Sequence, residues 1–264
     1  MTSLLDTPPL GLLDSIRGNR AKRPRRDLTS AAGLRATLDD EFFALWGDAL
    51  FDNPLVVRAS SLRRGPATAL STHPLAQVRG VLVNQTLRLL SVGAPLERPF
   101  DDALGAWRCE VGNNDLLAFV DTLDAEERAR LASAVDAHAQ TLARALGPLG
   151  GRWLPRTGVR ASQRLGGGNV IVRDAVDLMV GSTTTSVASV ALLDVTTAPL
   201  DENAERSMRF HALVQTLRTT TVPLRTSAFS TATGELWSHD VDVALLRRAL
   251  DELVEVVRGL WSPS

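Results

Sequence analysis

Val170-Ile171-Val172-Arg173-Asp174-Ala175-Val176-Asp177-Leu178-Met179-Val180 reads as a β-strand, and Val187-Ala188-Ser189-Val190-Ala191-Leu192-Leu193-Asp194-Val195 as a second. The second run is nearly continuous in apolar residues, as in a central strand covered on both faces. Each strand delivers an aspartate, Asp177 and Asp194, and the short polar loop Ser182 to Ser186 joins them. Immediately before this pair, Val159 to Leu165 has strand character and Gly166-Gly167-Gly168-Asn169 reads as a hairpin turn. Downstream, Glu205 to Thr219 reads as a helix with Phe210, Leu213, Val214 and Leu217 inward. Val222 to Ser230 and Glu235 to Val241 follow as two strands joined at Thr233-Gly234, and Asp242 to Trp261 as a final amphipathic helix.

Upstream the periodicity is helical. Leu34, Leu38, Phe42 and Leu45/Trp46 mark one amphipathic helix. Residues 51 to 72, with Asn53-Pro54, Gly65-Pro66 and Arg63-Arg64, read as mostly irregular. Pro74 stands where a helix starts, with Leu75, Val78, Leu82, Gln85 and Leu89 inward as far as Gly93. Another helix follows Pro99. Asp124 and Glu127 have capping-box spacing and open a long helix through Leu131, Val135, Leu142 and Leu146, closed by Gly147-Pro148-Leu149-Gly150-Gly151. The expected fold is α/β (α+β), a mixed central sheet flanked by helices. Residues 1–27 form a basic leader, 28–151 a helical part, and 152–264 an α/β core built into one globular unit with that helical part.

Composition excludes several classes. At 264 residues and 44% hydrophobic content, the chain is long enough for a sizeable core. No run of about 18 apolar residues exists, so no membrane span is expected. Met1 to Leu13 lacks the basic start and apolar centre of a secretory signal. Cys109 is the only cysteine, which excludes an internal disulfide and points to a reducing, cytoplasmic setting. Net charge is −1, yet Arg17, Arg20, Lys22, Arg23, Arg25 and Arg26 fall in a stretch without acids. That run reads either as a solvated leader or as an arm that neutralises phosphates. Lys22 is the chain's single lysine and tyrosine is absent, a bias that fits the arginine codons of a GC-rich genome.

Familiar catalytic patterns are missing. The four histidines, His73, His138, His211 and His239, lack zinc-ligand spacing with one another. Gly166-Gly167-Gly168 joins strand to strand with no Gly-Lys-Ser/Thr after it, so it is no nucleotide-binding loop. No Gly-x-Ser-x-Gly elbow occurs. What remains is the pair of strand aspartates. Two carboxylates on neighbouring strands can converge on a hard divalent ion, which needs only one or two protein acids.

The element order and these aspartates resemble the PD-(D/E)XK nuclease superfamily, and within it the RecB-like branch, over roughly residues 74 to 260. RecB-like members carry Gly-x-x-x-His on the leading helix, where this chain has Gly80-Val81-Leu82-Val83-Asn84. For Gly-x-x-Asp it has Asp174-Ala175-Val176-Asp177, and for Asp-x-Lys it has Asp194-Val195-Thr196. For Gln-x-x-x-Tyr on the following helix it has Gln215-Thr216-Leu217-Arg218-Thr219. Each motif stands in order and each has lost one member.

The resemblance implies a restriction-endonuclease-like core whose catalytic positions are Asp177, Asp194, Thr196 in place of lysine, and Gln215. It implies magnesium or manganese on Asp177 and Asp194, with Asn84 as a weaker ligand, or a site that has dispensed with its metal. Thr196 brings no positive charge, and losing such stabilisation costs about two to three decades in rate. The leading expectation is therefore a catalytically degenerate nuclease fold that binds DNA, or a partner protein, in DNA processing or defence. The alternatives are an active Mg- or Mn-dependent nuclease with a non-lysine site, and an unrelated α/β ligand- or protein-binding domain. Asp174 reads as a metal ligand or a solvent-facing acid. Without metal, Asp177 and Asp194 would pair with Arg173, Arg209 or Arg218. His211 reads as half-buried and inert, with migration into a metal site as its other reading.

Overall fold

Pro74 pre-sets the backbone for a first helical turn, and the His73 side chain caps it by accepting from the Leu75 amide. In the computed structural model, which describes residues 28–63, 73–110, 114–147, 153–181 and 190–261, that helix sits between two layers. The helices among the described residues are α1 (Leu28–Trp46), α2 (Pro74–Ser91), α3 (Pro99–Arg108), α4 (Asn114–Thr122), α5 (Ala125–Leu146), α6 (Glu202–Thr219) and α7 (Val243–Leu260). The strands are β1 (Leu55–Val57), β2 (Arg156–Leu165), β3 (Val170–Val180), β4 (Ala191–Thr196), β5 (Arg225–Ser230) and β6 (Leu236–Asp240). The expected mixed α/β class is observed, a six-stranded mixed sheet flanked by helices. Its order is β1-β3-β4-β5-β6, with β2 also paired to β3. β1–β3 and β4–β5 are parallel and the other pairs antiparallel.

Two differences from the sequence reading concern short elements. Leu55–Val57, inside the stretch expected to be irregular, is a strand beside Val170–Val172. Three residues give too short a pattern for periodicity to register; the pairing is supplied by β3. Asn114–Thr122 forms a helix of its own after the one opened by Pro99. The capping box of α5 forms as expected, with Glu127 N donating to Asp124 Oδ1 at 2.8 Å and Asp124 N donating to Glu127 Oε2 at 3.3 Å.

The layers fix where side chains can go. On one face of the sheet, α1, α6 and α7 pack over Val170 and Val172. On the other, α2 and α5 pack Val83, Leu87, Leu142 and Leu146 over Leu178, Val180, Ala191 and Leu193. α2 has a second apolar edge, Val78 and Leu82, that joins α3, α4 and α5. Each such fully buried aliphatic side chain contributes roughly 1.5–3 kcal/mol. α6 is covered all round, with every residue from Arg206 to Leu217 buried.

One rung breaks the sheet's alternation. Val172 and Leu178 have the same parity along β3, yet they pack against opposite helical layers. Between them the β2–β3 register skips the rung of Gly158 and Asp177, flanked by Thr157↔Leu178 and Val159↔Val176. Gly158 has φ +58°, a left-handed conformation that glycine adopts without a Cβ penalty. The break lies at the first of the two strand aspartates.

Candidate metal centre

Asp177 and Asp194 meet where β3 and β4 part. The last paired residues of that ladder are Leu178 and Leu193, and the next rung would set Asp177 against Asp194. There the Asp177 carboxylate takes the place of a main-chain acceptor: Val195 N donates to its Oδ2 at 2.8 Å. From the α2 side, Asn84 Nδ2 donates to Asp177 Oδ1 at 3.0 Å. Asn84 reaches because its neighbour Val83 packs on the sheet.

From the α6 side comes His211. It is buried, not half-buried, because α6 is enclosed by both the sheet and α1 and α7. Its Nδ1 lies 2.6 Å from Asp174 Oδ1, and both side chains are almost wholly buried, at 4% and 2% exposure. Asp174 therefore points into the protein instead of toward solvent, on the face that also carries Val172. The other ring nitrogen, Nε2, lies 3.7 Å from Asp194 Oδ2, an ion-pair contact too long for a hydrogen bond. It has no hydrogen-bond partner. Gln215 Nε2, one turn further along α6, also has none. An unpartnered buried polar nitrogen costs about 1–3 kcal/mol, and two on one helix face call for a physical account.

The charges are arranged unequally. Burial, reinforced by the adjacent Asp194 carboxylate, pushes Asp177 well above the usual carboxylate range, against the Val195 amide and His211. Burial pushes Asp194 upward too, but that side chain is still 32% exposed. The His211 imidazole close by, then Asp177 and the charge of Arg63, outweigh burial and hold Asp194 low. Burial also works against a charged His211, yet Asp174 first and Asp194 second hold the imidazole well above its ordinary value. The two acids are thus pushed in opposite directions, Asp177 up and Asp194 down, with the His211 imidazole between Asp174 and Asp194.

The remaining expected residues fall as follows. Thr196 Oγ1 accepts from Ala198 N at 3.1 Å, and the Thr196 carbonyl accepts from Thr231, so this residue closes its own turn. Gln215 is 2% exposed, and its Oε1 accepts from Arg218 Nε at 3.3 Å. Thr219 Oγ1 donates to the Gln215 carbonyl. The arginine network expected in place of a metal does not form at the acids. Arg209 pairs with Glu205 and Glu252, Arg218 with Gln215, and Arg173 is exposed. Arg63, which follows the 3-10 turn Ala59–Leu62, is the arginine whose charge acts on Asp194. Arg17, Arg20, Lys22, Arg23, Arg25 and Arg26 lie outside the described residues.

The sequence reading missed the Asp174–His211 pair. A signal existed: Asp174 has the inward parity of Val170 and Val172, so its carboxylate needed a buried partner. Among the described residues, no group of three or more His, Cys, Asp and Glu side chains is already gathered as a metal cage. Among them, too, no helix is long and apolar enough to cross a membrane.

No protein-family model matches this chain, and no curated protein does. Among solved structures it is similar to one described as the crystal structure of SSO0001, at 8% identity and a TM-score of 0.34, covering 86% of this chain and 85% of that one. A likeness at that level carries no argument about function.

Proposed function

We propose that this protein is a degenerate nuclease-type domain that engages the phosphodiester backbone of DNA at Asp177 and Asp194 through a divalent cation, with hydrolysis largely lost. The observation that carries the reading is the buried Nε2 of His211, which makes no hydrogen bond and lies 3.7 Å from Asp194, a member of the adjoining acid pair. A divalent ion fits that donor set, because it favours both carboxylates in their ionised form and gives the acids a counter-charge that the protein supplies only in part. When bound, such an ion polarises a phosphate oxygen.

The chain's own residues do the rest. Asn84 and the Val195 amide each occupy one oxygen of Asp177, leaving further lone pairs on both and fixing the carboxylate plane. Asp194, still partly exposed, faces the approach from solvent. Thr196 leaves the acid pair without the ammonium that its position carries in the family it resembles, and its hydroxyl is occupied by its own turn.

The test is fluorescence anisotropy of labelled single- and double-stranded DNA, with Mn²⁺, with Mg²⁺ and with EDTA, beside Asp194→Ala. Binding that strengthens with the ion and loses that increment in Asp194→Ala supports the reading. Affinity indifferent to both EDTA and the substitution would refute it. A second reading, an active hydrolase, is favoured by Arg63, whose charge acts on Asp194. It requires metal-dependent cleavage that disappears in Asp177→Ala, Asp194→Ala and Arg63→Ala alike.

A further inference from the structure

We infer that His211 is the third protein ligand of this cation site, through Nε2, and that Asp174 is the residue that positions it. The inference rests on the proposed reading of the acid pair as a cation site. Three observations carry it. First, His211 Nε2 is buried without a hydrogen-bond partner while its ring is otherwise fully constrained. Second, the other ring nitrogen is held by a buried carboxylate at 2.6 Å, the arrangement that fixes the tautomer and raises the basicity of metal-bound histidines. Third, Nε2 and Asp194 Oδ2 are 3.7 Å apart. Two ligands each about 2.1 Å from one ion lie no more than about 4.2 Å from each other, so His211 and Asp194 can share an ion, and Asp177 must close onto it on binding because the three are not gathered beforehand.

Two departures from the family pattern then become one exchange. The leading helix α2 carries Asn84 where a histidine is expected, and β3 carries Asp174 where a glycine is expected. If the imidazole comes from α6 instead of α2, it needs a carboxylate behind it on the α6 face of β3, which is where Asp174 points. Gln215, one turn along α6 with an unpartnered Nε2, lies on the same helix face as a donor for an oxygen bound there.

The ligand chemistry also selects the ion. One imidazole nitrogen with two carboxylates suits a divalent transition-metal ion better than magnesium, which favours an all-oxygen set. The site should therefore prefer Mn²⁺ to Mg²⁺.

The test uses the full-length protein stripped with EDTA and loaded with Mn²⁺. Affinity is read by calorimetry, and ligation by pulsed electron paramagnetic resonance, which detects the nitrogen of a directly bound imidazole. Wild type should show that nitrogen coupling, His138→Gln should keep it, and His211→Gln should lose it together with at least tenfold of the preference for Mn²⁺ over Mg²⁺. Asp174→Asn should weaken Mn²⁺ by about 10–100-fold while keeping the coupling. Mn²⁺ bound in an Asp194-dependent way but without nitrogen coupling in wild type overturns the assignment of His211 and leaves the acid site standing. No Mn²⁺ binding by wild type overturns both. The wild-type spectrum decides the matter even if His211→Gln does not fold.

Discussion

Removing the Asp174 carboxylate should destabilise the protein more at low pH than at high pH. Asp174 Oδ1 and His211 Nδ1 are 2.6 Å apart, with side chains only 2% and 4% exposed, so solvent screens the pair little. Deleting one partner of a buried charged pair costs about 3–5 kcal/mol when the other charge is left uncompensated, and Asp194 at 3.7 Å from the imidazole moves the cost here toward the lower end. His211 can escape that cost by giving up its proton, leaving an unsatisfied buried N–H worth about 1–3 kcal/mol. Which cost applies depends on pH. The folded pKa of His211 is raised above its unfolded value of 6.5, so the pair's stabilisation is fully present below about pH 6.5 and fades as pH rises through the elevated folded value. With about 2–4 °C in Tm per kcal/mol for a domain of this size, Asp174→Ala should lose roughly 6–20 °C at pH 6 and clearly less at pH 9. Thermal unfolding followed by circular dichroism in EDTA measures both. Asp174→Asn, which keeps an acceptor for Nδ1–H, should lose less at pH 6. Equal losses for Asp174→Ala at the two pH values, or a loss under about 3 °C at pH 6, would mean that the pair carries no such energy.

Asp177→Asn should raise Tm in EDTA at pH 7.5, because Asp177 is driven to keep its proton by burial and by Asp194; Asn84 can turn its amide to accept from the new side chain, and a lower Tm would contradict that origin. The same variant should lose the metal-dependent increment of DNA affinity. Gly158→Ala should destabilise by about 1–2 kcal/mol, since a Cβ at φ +58° is strained and would stand 2.9 Å from Arg88 Nη2; unchanged chemical denaturation would show that the rung tolerates a side chain. On the proposed reading, Thr196→Lys places an ammonium on the strand of Asp194 and should raise Mn²⁺-dependent cleavage by about two to three decades over wild type; no gain would show that the ammonium is not what the site lacks.

Much of the fold was legible because its long elements repeat a period. Pro74, the Asp124–Glu127 box and the apolar run ending at Asp194 each announced an element that the structure contains. β1 was not legible, since Leu55–Val57 is a strand only by virtue of β3 beside it. For the site, the sequence marked Asp177 and Asp194 through its strand pattern and Asn84 through the family resemblance, and these three side chains lie side by side. It failed for His211, whose importance depends on burial from every side of α6 and on a partner thirty-seven residues away. Helical periodicity marks an inward face, but not that both faces of a helix are inward.

The position of the acids explains why a motif read by sequence offset undercounts this site. Asp177 and Asp194 lie just past the last β3–β4 pair, in the opening between strands that have begun to separate, and not on one covered face of the sheet. That opening is reached by α2 from one layer, through Asn84, and by α6 from the other, through His211. The broken rung at Gly158 and Asp177 is part of the same geometry, because β3 changes the layer it faces there. A helper group can therefore enter from either layer without moving the acids. On the proposed reading, Asn84 and Asp174 depart from the family pattern only while the imidazole is expected from α2. Thr196 is different. Its side chain closes a turn at the end of β4, and His211 and Arg63 are the groups whose charges lower Asp194. If His211 serves as a neutral metal ligand, its charge no longer acts on the acids, and among the described residues Arg63 is the arginine whose charge acts on Asp194. On the proposed reading, one histidine cannot serve both roles, and metal binding with impaired hydrolysis is the combination expected.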